Sequence, residues 1–196
     1  LKPRAEFWIS DEAALRALLP PTHDLAIKKS LTRLDGHARE FIARSPFLCI
    51  GTQAPDGRAD VSPRGDPKGF VTVLDDRTLA IPDRPGNNRL DTLANIVANP
   101  SVGLLFLVPG FDDTLRINGT ARISRDPDLL AGVAVNDRVP TVAIVVEIVA
   151  GIAVGVACVP MVEHPGPGWQ GLTGRLDAAG VAASLAHAAV APWAAQ

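Results

Sequence analysis

Three arginines lie on two loops whose composition suits the binding of an anion. Arg64 stands in SPRGD, and Arg84 and Arg89 stand near the two ends of DRPGNNR. Proline stiffens such loops, and glycine lets the backbone approach a ligand. A phosphate monoester carries about −1.5 to −2 charges at neutral pH, and guanidinium groups bind it through charge-assisted hydrogen bonds. The two loops therefore predict a site for a phosphorylated ligand.

The segment after the second loop strengthens this prediction. Residues 87–100 (NNRLDTLANIVANP) have helical periodicity and end at a proline. Their apolar positions are Leu90, Leu93, Ala94 and Val97. An asparagine at the start of this helix would cap it. Because a helix N-terminus presents unpaired N–H groups and a positive dipole end, it favours an anion.

A purely structural interpretation stays open beside this one. Arginines in turns are commonly solvated, and neighbouring acids could neutralise them, as in the local pairs Asp83/Arg84 and Arg64/Asp66. Arg116 lies in a strand that alternates apolar and polar residues, and an arginine there is more often a surface residue than a ligand contact.

Catalytic residues of the usual kinds are scarce. No histidine lies between His37 and His164, so the arginine loops contain no obvious general base. The nucleophile pattern G-x-S-x-G, the dinucleotide pattern G-x-G-x-x-G and the phosphate loop are all absent. The catalytic residues are therefore unassigned, and an enzyme with this sequence would use a bound cofactor for its reaction.

Composition excludes several classes of protein. The chain has 196 residues, 47% hydrophobic and 20% charged, with a formal net charge of −2. This balance argues against a nucleic-acid partner, which requires clustered positive charge. The longest uncharged apolar run, 148–159, is shorter than the roughly 20 residues needed to cross a bilayer, so no membrane partner is expected. The first residues are charged and lack the apolar core of a signal peptide, and we expect a cytoplasmic protein.

The cysteines and histidines show no metal-binding pattern. Cys49 and Cys158 each lie in an apolar run, which favours two buried free thiols over a disulfide. The four histidines have no ligand spacing, and no metal is expected.

Most other segments have strand character. Strands are predicted at 47–52, 69–74, 78–81, 102–108, 114–124 and 141–149, with a hairpin around 55–57 and a bulge at Gly119. A helix capped by Ser10 and a second from Ile27 to Ile42, with a break near Gly36, precede them. A short helix is expected from Asp126. The predicted fold is mainly β, a small barrel with N-terminal helices packed outside it.

Three parts of the chain differ in composition. We expect an N-terminal helical segment over 1–46, a barrel domain over 47–160 and a tail of uncertain order over 161–196. From residue 148 onward there are thirteen alanines and only three charged residues, so any helix at 176–190 has a thin polar face.

Five stretches of the sequence, in this order, resemble one known family: FIARSPFLCIGT, DVSPRGDPKGFV, LAIPDRPGNNRLDTLANI, NPSVGLLFLVPG and TLRINGTARI. They are similar to the pyridoxamine 5'-phosphate oxidase-related flavoproteins, and in particular to a bacterial subgroup with SPRGD and IPDRPGNNR. The resemblance covers about residues 7–147. It implies an FMN-binding split β-barrel and a homodimer with the flavin in its interface. A related deazaflavin in place of FMN stays open.

The resemblance also implies the positions of the cofactor contacts. Ser62, Pro63 and Arg64 match a strand that runs along the flavin ring and ribityl chain. A loop and helix start match the part that binds the phosphate, at Asp83, Arg84, Asn87, Asn88 and Arg89. Arg116 matches a strand that reaches toward the flavin of the partner subunit.

The resemblance ends after Glu147, where the subgroup continues with a His-Cys pair, basic residues and a tryptophan. The sequence IVAGIAVGVACVPMVEHPGPGWQ lacks this pattern. A frameshift in the source sequence and genuine divergence are both compatible with the change. The function implied is an FMN-dependent oxidoreductase acting on a small molecule. The alternative is a flavin- or ligand-binding carrier, sensor or stress protein without turnover.

Overall fold

The structure, a computed structural model, describes residues 2–21, 31–86, 89–111, 113–135 and 138–156, with the backbone alone for 150–156. Its strands are β1 Phe47–Gln53, β2 Ala59–Gly65, β3 Thr72–Val73, β4 Thr78–Pro82, β5 Ser101–Leu107, β6 Asp113–Ser124 and β7 Ala143–Val156. Its helices are α1 Glu12–Leu18, α2 Gly36–Arg44, α3 Asp91–Ala98 and α4 Pro127–Gly132, with a 3-10 turn at Ala5–Phe7.

The seven strands form one antiparallel sheet in the order β2-β1-β5-β6-β7-β4-β3. This order leaves β2 at one edge and β3 at the other, while the long strands β6 and β7 pair in the middle. The predicted class, a mainly β split barrel with flanking helices, is confirmed. In the described part of the chain, every helix is too short or too polar to cross a bilayer.

Alternating side chains build the core on one face of the sheet. Leu48 and Ile50 of β1, Leu104 and Phe106 of β5, and Ile117 of β6 are buried almost completely. Helix α2 covers this face with Ala38, Phe41 and Ile42, which are also buried. Residues 2–21, which include α1, contain no buried side chain.

The hairpin predicted around 55–57 is confirmed. Gly57 has a φ of +87°, a conformation that glycine adopts without the Cβ penalty. β1 and β2 pair from Phe47↔Gly65 to Gln53↔Ala59, so Ser62 and Arg64 are opposite core residues of β1. The hairpin thereby brings the first arginine loop beside the barrel.

Helix starts were predicted less well, because the capping residue rather than the periodicity decides them. Asp11, not Ser10, caps α1 by accepting a hydrogen bond from the Ala14 amide at 2.8 Å. The helix predicted from residue 27 was wrong for residues 31–35. There α2 begins only at Gly36, after Asp35 accepts from the Ala38 amide at 2.8 Å.

The last two strands lie in the predicted segments, and β7 is longer than predicted. The register of β6 against β7 shifts by one residue on each side of Asn118, next to the predicted bulge at Gly119, but the extra residues are on β7. β7 continues past the predicted strand to Val156.

Cys49 is a free, half-buried thiol. Asn87, Asn88, Cys158 and the predicted tail at 161–196 lie outside the described residues.

Candidate functional site

An open groove of about 960 Å³ lies between β2, the end of β4 and the start of α3. Its lining consists of 60–65, 82–86 and 89–93, together with Phe70, Thr141 and Val142. This volume is at the upper end of the roughly 300–1,000 Å³ typical of small-molecule sites. Both arginine loops of the sequence contribute to it, so the fold brings together two segments that are about twenty residues apart.

Strand β2 presents one row of polar side chains to the groove. Asp60, Ser62 and Arg64 are half-buried, whereas the alternating residues between them are exposed. Among the described strands β2 pairs with β1 alone, and Pro63 lies on this edge strand, where a missing N–H is tolerated. One wall of the groove is therefore an edge strand. Its polar side chains form a row because successive side chains of a strand point to opposite faces.

The arginines and aspartates of the two loops pair crosswise. Arg64 Nη1 donates to Asp83 Oδ1 at 2.5 Å, and Arg84 Nε donates to Asp66 Oδ2 at 2.5 Å. The local pairs considered from the sequence, Asp83/Arg84 and Arg64/Asp66, do not form among these contacts. Because each pair joins one loop to the other, the two ion pairs tie the end of β2 to the loop after β4.

Arg84 is additionally bound to a third segment. Its Nη2 donates to the carbonyl of Val133 and its Nη1 to that of Arg138, each at 3.3 Å. The neighbouring amide of Asp83 donates to the carbonyl of Val142 at 3.1 Å. Arg84 thus lines the groove, but all three of its nitrogens are already engaged in holding the groove wall together.

Arg64 is engaged less completely. Its side chain is 18% exposed, and its Nε is buried without an acceptor in the described part of the chain. A buried donor without a partner costs about 1–3 kcal/mol, more when the group is charged. Because this nitrogen is closed to solvent, a ligand oxygen in the groove would become its acceptor only with a shift of the Arg64 side chain.

Arg89 lies at the entrance of the groove, just before α3. Its Nε and Nη2 lie 2.9 Å and 2.7 Å from Asp91 Oδ2, and its side chain is 76% exposed. The predicted asparagine cap is replaced by Leu90, which makes no side-chain capping bond. The first-turn N–H groups of α3 therefore lack a side-chain acceptor at the cap position, at the end of the helix where the dipole favours an anion.

Charge in the groove is balanced within the described residues. Three arginines (Arg64, Arg84 and Arg89) are matched by three aspartates (Asp60, Asp83 and Asp91). Six of the expected cofactor contacts line the groove: Ser62, Pro63, Arg64, Asp83, Arg84 and Arg89. Arg116 does not line it and lies on the exposed side of β6, opposite Leu105 of β5. No group of three His, Cys, Asp or Glu side chains in the described ranges could hold a metal ion.

Sequence reasoning missed a polar network beneath the groove. Thr92 donates to Asp60 Oδ2 at 3.1 Å, Thr52 lies 3.5 Å from the same oxygen, and Asn95 Nδ2 donates to Thr52 at 3.1 Å. The spacing of Thr92 and Asn95, three residues apart among apolar positions, was an available signal of buried polar contacts on one helix face.

Structural comparison relates the fold of this chain to that of a solved protein. A search of curated proteins found no match. A candidate pyridoxamine 5'-phosphate oxidase from Lactobacillus delbrueckii aligns with a TM-score of 0.50 and 20% identity, over 63% of this chain and 96% of its own. An FMN-binding protein from Syntrophomonas wolfei aligns at 0.44 and 15%, over 59% and 86%. An FAD-binding protein from Mycobacterium smegmatis aligns at 0.43 and 17%, over 61% and 98%. At these identities the likeness concerns the fold.

The sequence itself matches a family model. The model for pyridoxamine 5'-phosphate oxidase covers residues 34–153, which is more than half of the chain and contains α2, all seven strands up to residue 153, and the whole groove. The chain belongs to the pyridoxamine 5'-phosphate oxidase family.

Proposed function

We propose that the groove binds FMN and that the protein is an FMN-dependent oxidoreductase acting on a small molecule. Family membership favours a flavin, and one observation of the structure carries the proposal for this site. That observation is the buried Arg64 Nε, a charged donor without an acceptor, in a groove of ligand size. A phosphate oxygen is an acceptor of the required charge.

The described residues fit FMN with distinct roles. Arg64, Arg89 and the first turn of α3 would hold the phosphate, while Ser62 offers a hydroxyl along β2. Arg84 acts on the site by fixing the loops, because its nitrogens are already bound. Bound FMN supplies the exchange of a hydride or electrons with the substrate. The described lining contains no histidine, and hydride transfer requires no protein base.

The proposal includes a homodimer. Leu105 on β5 and Val149 on β7 are 36% and 57% exposed, on strands whose opposite faces form the core. Val97, on the outer side of α3, is 78% exposed. A second copy would remove these side chains from water, and closed two-fold dimers are the commonest assembly of soluble proteins.

Flavin titration tests the proposal directly. We expect the purified chain to quench the fluorescence of FMN and of riboflavin. Arg64→Met should weaken FMN about ten- to a hundredfold and riboflavin much less, because a hydrogen bond to a charged group contributes about 1.5–3 kcal/mol. Arg122→Met is the matched control, since Arg122 is an exposed arginine on β6 outside the groove.

Two results would contradict the proposal. If Arg64→Met weakens both ligands equally, the phosphate does not contact Arg64. If the chain binds no flavin, the cofactor assignment is wrong. Anaerobic bleaching of the bound flavin by reduced nicotinamide would support an oxidoreductase, whereas flavin binding without any bleaching would favour a carrier or sensor.

A further inference from the structure

The polar network beneath the groove joins three elements of the fold. It runs from Asn95 of α3 through Thr52 of β1 to Asp60 of β2, and Thr92 of α3 binds the same Asp60 oxygen. Thr52, Thr92 and Asn95 are each less than 8% exposed. Hydrogen bonds that are shielded from water in this way hold their partners at a fixed separation.

Strand β2 depends on such side-chain contacts. None of its seven residues is fully buried, and among the described strands only β1 pairs with it. Apolar packing therefore does little to fix its free edge. In the described part of the chain, two side-chain hydrogen bonds tie β2 itself to elements other than β1, Asp60 to Thr92 and Arg64 to Asp83; the Arg84–Asp66 pair lies one residue beyond its end.

These two ties differ in their relation to a ligand. An anion bound at Arg64 Nε would share one guanidinium with Asp83, which is bound at Nη1, so this tie belongs to a group that also contacts the ligand. The Asp60–Thr92 bond uses side chains that are not assigned to the phosphate, although Thr92 lies in the first turn of α3. Asp60 lies four residues before Arg64 on the same face of β2, about 13 Å along the strand.

We propose that Asp60 and Thr92 are positioning residues that hold β2 and the N-terminus of α3 at the separation that the ligand requires, whether or not the ligand is bound. This inference rests on the proposed function of the groove. In this inference the two residues maintain the geometry of the whole site and do not recognise the phosphate. Their loss should therefore weaken every ligand that spans the two walls by the same factor.

The experiment compares three variants by titration with FMN and riboflavin. Thr92→Val removes the hydroxyl at constant shape, and Thr92→Ser restores it. Ser45→Ala is the control, because Ser45 is 1% exposed and donates to the Leu107 carbonyl at 2.7 Å but does not line the groove. Thr92→Ala replaces Thr92→Val if the latter does not fold.

We expect Thr92→Val to lose about three- to tenfold in affinity for both FMN and riboflavin, the value of one hydrogen bond. Thr92→Ser should remain close to the wild type, and Ser45→Ala should be unchanged. Unchanged affinity in Thr92→Val, a loss confined to FMN, or an equal loss in Ser45→Ala would each overturn the proposal.

A second measurement separates this inference from the proposed function. If the wild type binds neither flavin, the proposed function fails while the positioning role remains testable in the free protein. Amide hydrogen exchange in β2 should then be faster in Thr92→Val than in Thr92→Ser. Equal exchange rates in the two variants would show that Thr92 does not hold β2.

Discussion

Arg84 offers the sharpest test of how the groove is built. The sequence predicts a phosphate contact, whereas the structure engages its guanidinium with Asp66 and with the carbonyls of Val133 and Arg138. Arg84→Met preserves much of the side-chain length and removes all three bonds. If Arg84 joins the loops, this substitution should lower the free energy of unfolding and leave the preference for FMN over riboflavin unchanged.

The size of the effect follows from burial. The side chains of Arg84 and Asp66 are 24% and 16% exposed, so Asp66 would be left largely buried without its partner. Removing one partner of a fully buried pair costs about 3–5 kcal/mol, and a hydrogen bond to a charged group contributes about 1.5–3 kcal/mol. Because water reaches part of this pair, we expect a loss of about 2–3 kcal/mol.

Urea unfolding measures this loss, with Arg58→Met as the control. Arg58 Nε lies 2.7 Å from Asp56 Oδ2, and this bond lowers the pKa of Asp56, but the two side chains are 81% and 57% exposed. The control should therefore change stability much less than Arg84→Met does. Adding Asp66→Asn to Arg84→Met should recover part of the loss, since the unpaired charge disappears.

Either of two results would refute this reasoning. Equal losses of stability in Arg84→Met and Arg58→Met would mean that the buried bonds of Arg84 contribute nothing beyond those of a surface pair. A selective loss of FMN affinity in Arg84→Met, with stability intact, would restore the direct phosphate contact that the sequence predicts.

Four further predictions address the ligand, the assembly, the bulge and the stability of the protein at acidic pH. Arg89→Ala should weaken FMN more than riboflavin in a fluorescence titration, and equal losses would contradict its contact with the phosphate. Light scattering at micromolar concentration should report a homodimer, and a flavin-loaded monomer would contradict this. Gly119→Ala should destabilise the chain by about 1–3 kcal/mol in urea unfolding, because a Cβ there would lie 2.2 Å from the Glu147 carbonyl oxygen, whereas Gly132→Ala meets open space and should not. The Arg77 amide donates a hydrogen bond to the Asp75 carboxylate and lowers the pKa of this carboxyl below 3.8. The stabilisation from this bond is therefore present above about pH 4 and is lost as the pH falls through the folded-state pKa. Acid unfolding of Asp75→Asn should lack this component.

The strands were predictable because each one carries its own signal. The sequence of β5 is a continuous apolar run, which predicts a fully buried strand, although the structure buries only alternate residues of it. The hairpin between β1 and β2 requires only the local turn around Gly57. The start of α2 was not predictable from periodicity, because residues 27–34 keep the helical spacing. There the Leu34 amide donates to the Asp76 carbonyl at 2.7 Å, and the two residues are 42 positions apart in the sequence.

The pairing of the arginines was beyond the sequence for a related reason. In the sequences SPRGD and DRPGNNR the nearest partner of each arginine is a local aspartate, whereas the fold pairs Arg64 with Asp83 and Arg84 with Asp66. That exchange depends on the position of β2 beside the end of β4, which no local pattern specifies. The arginines therefore share a groove and are also paired with acids, and their contact with a phosphate stays a prediction.

This arrangement changes what recognition of an anion requires. Because the three arginines and three aspartates of the described lining balance in charge, the groove does not act as a positively charged patch that attracts any anion. An incoming phosphate must instead reach donors that the carboxylates leave available, of which Arg64 Nε is the buried example. Such a donor is useful only if β2 stays at a fixed distance from α3, and β2 is an edge strand without buried residues. We therefore expect the affinity of the site for any ligand to depend on the hydrogen bonds of Asp60, and its preference for a phosphate to depend on Arg64.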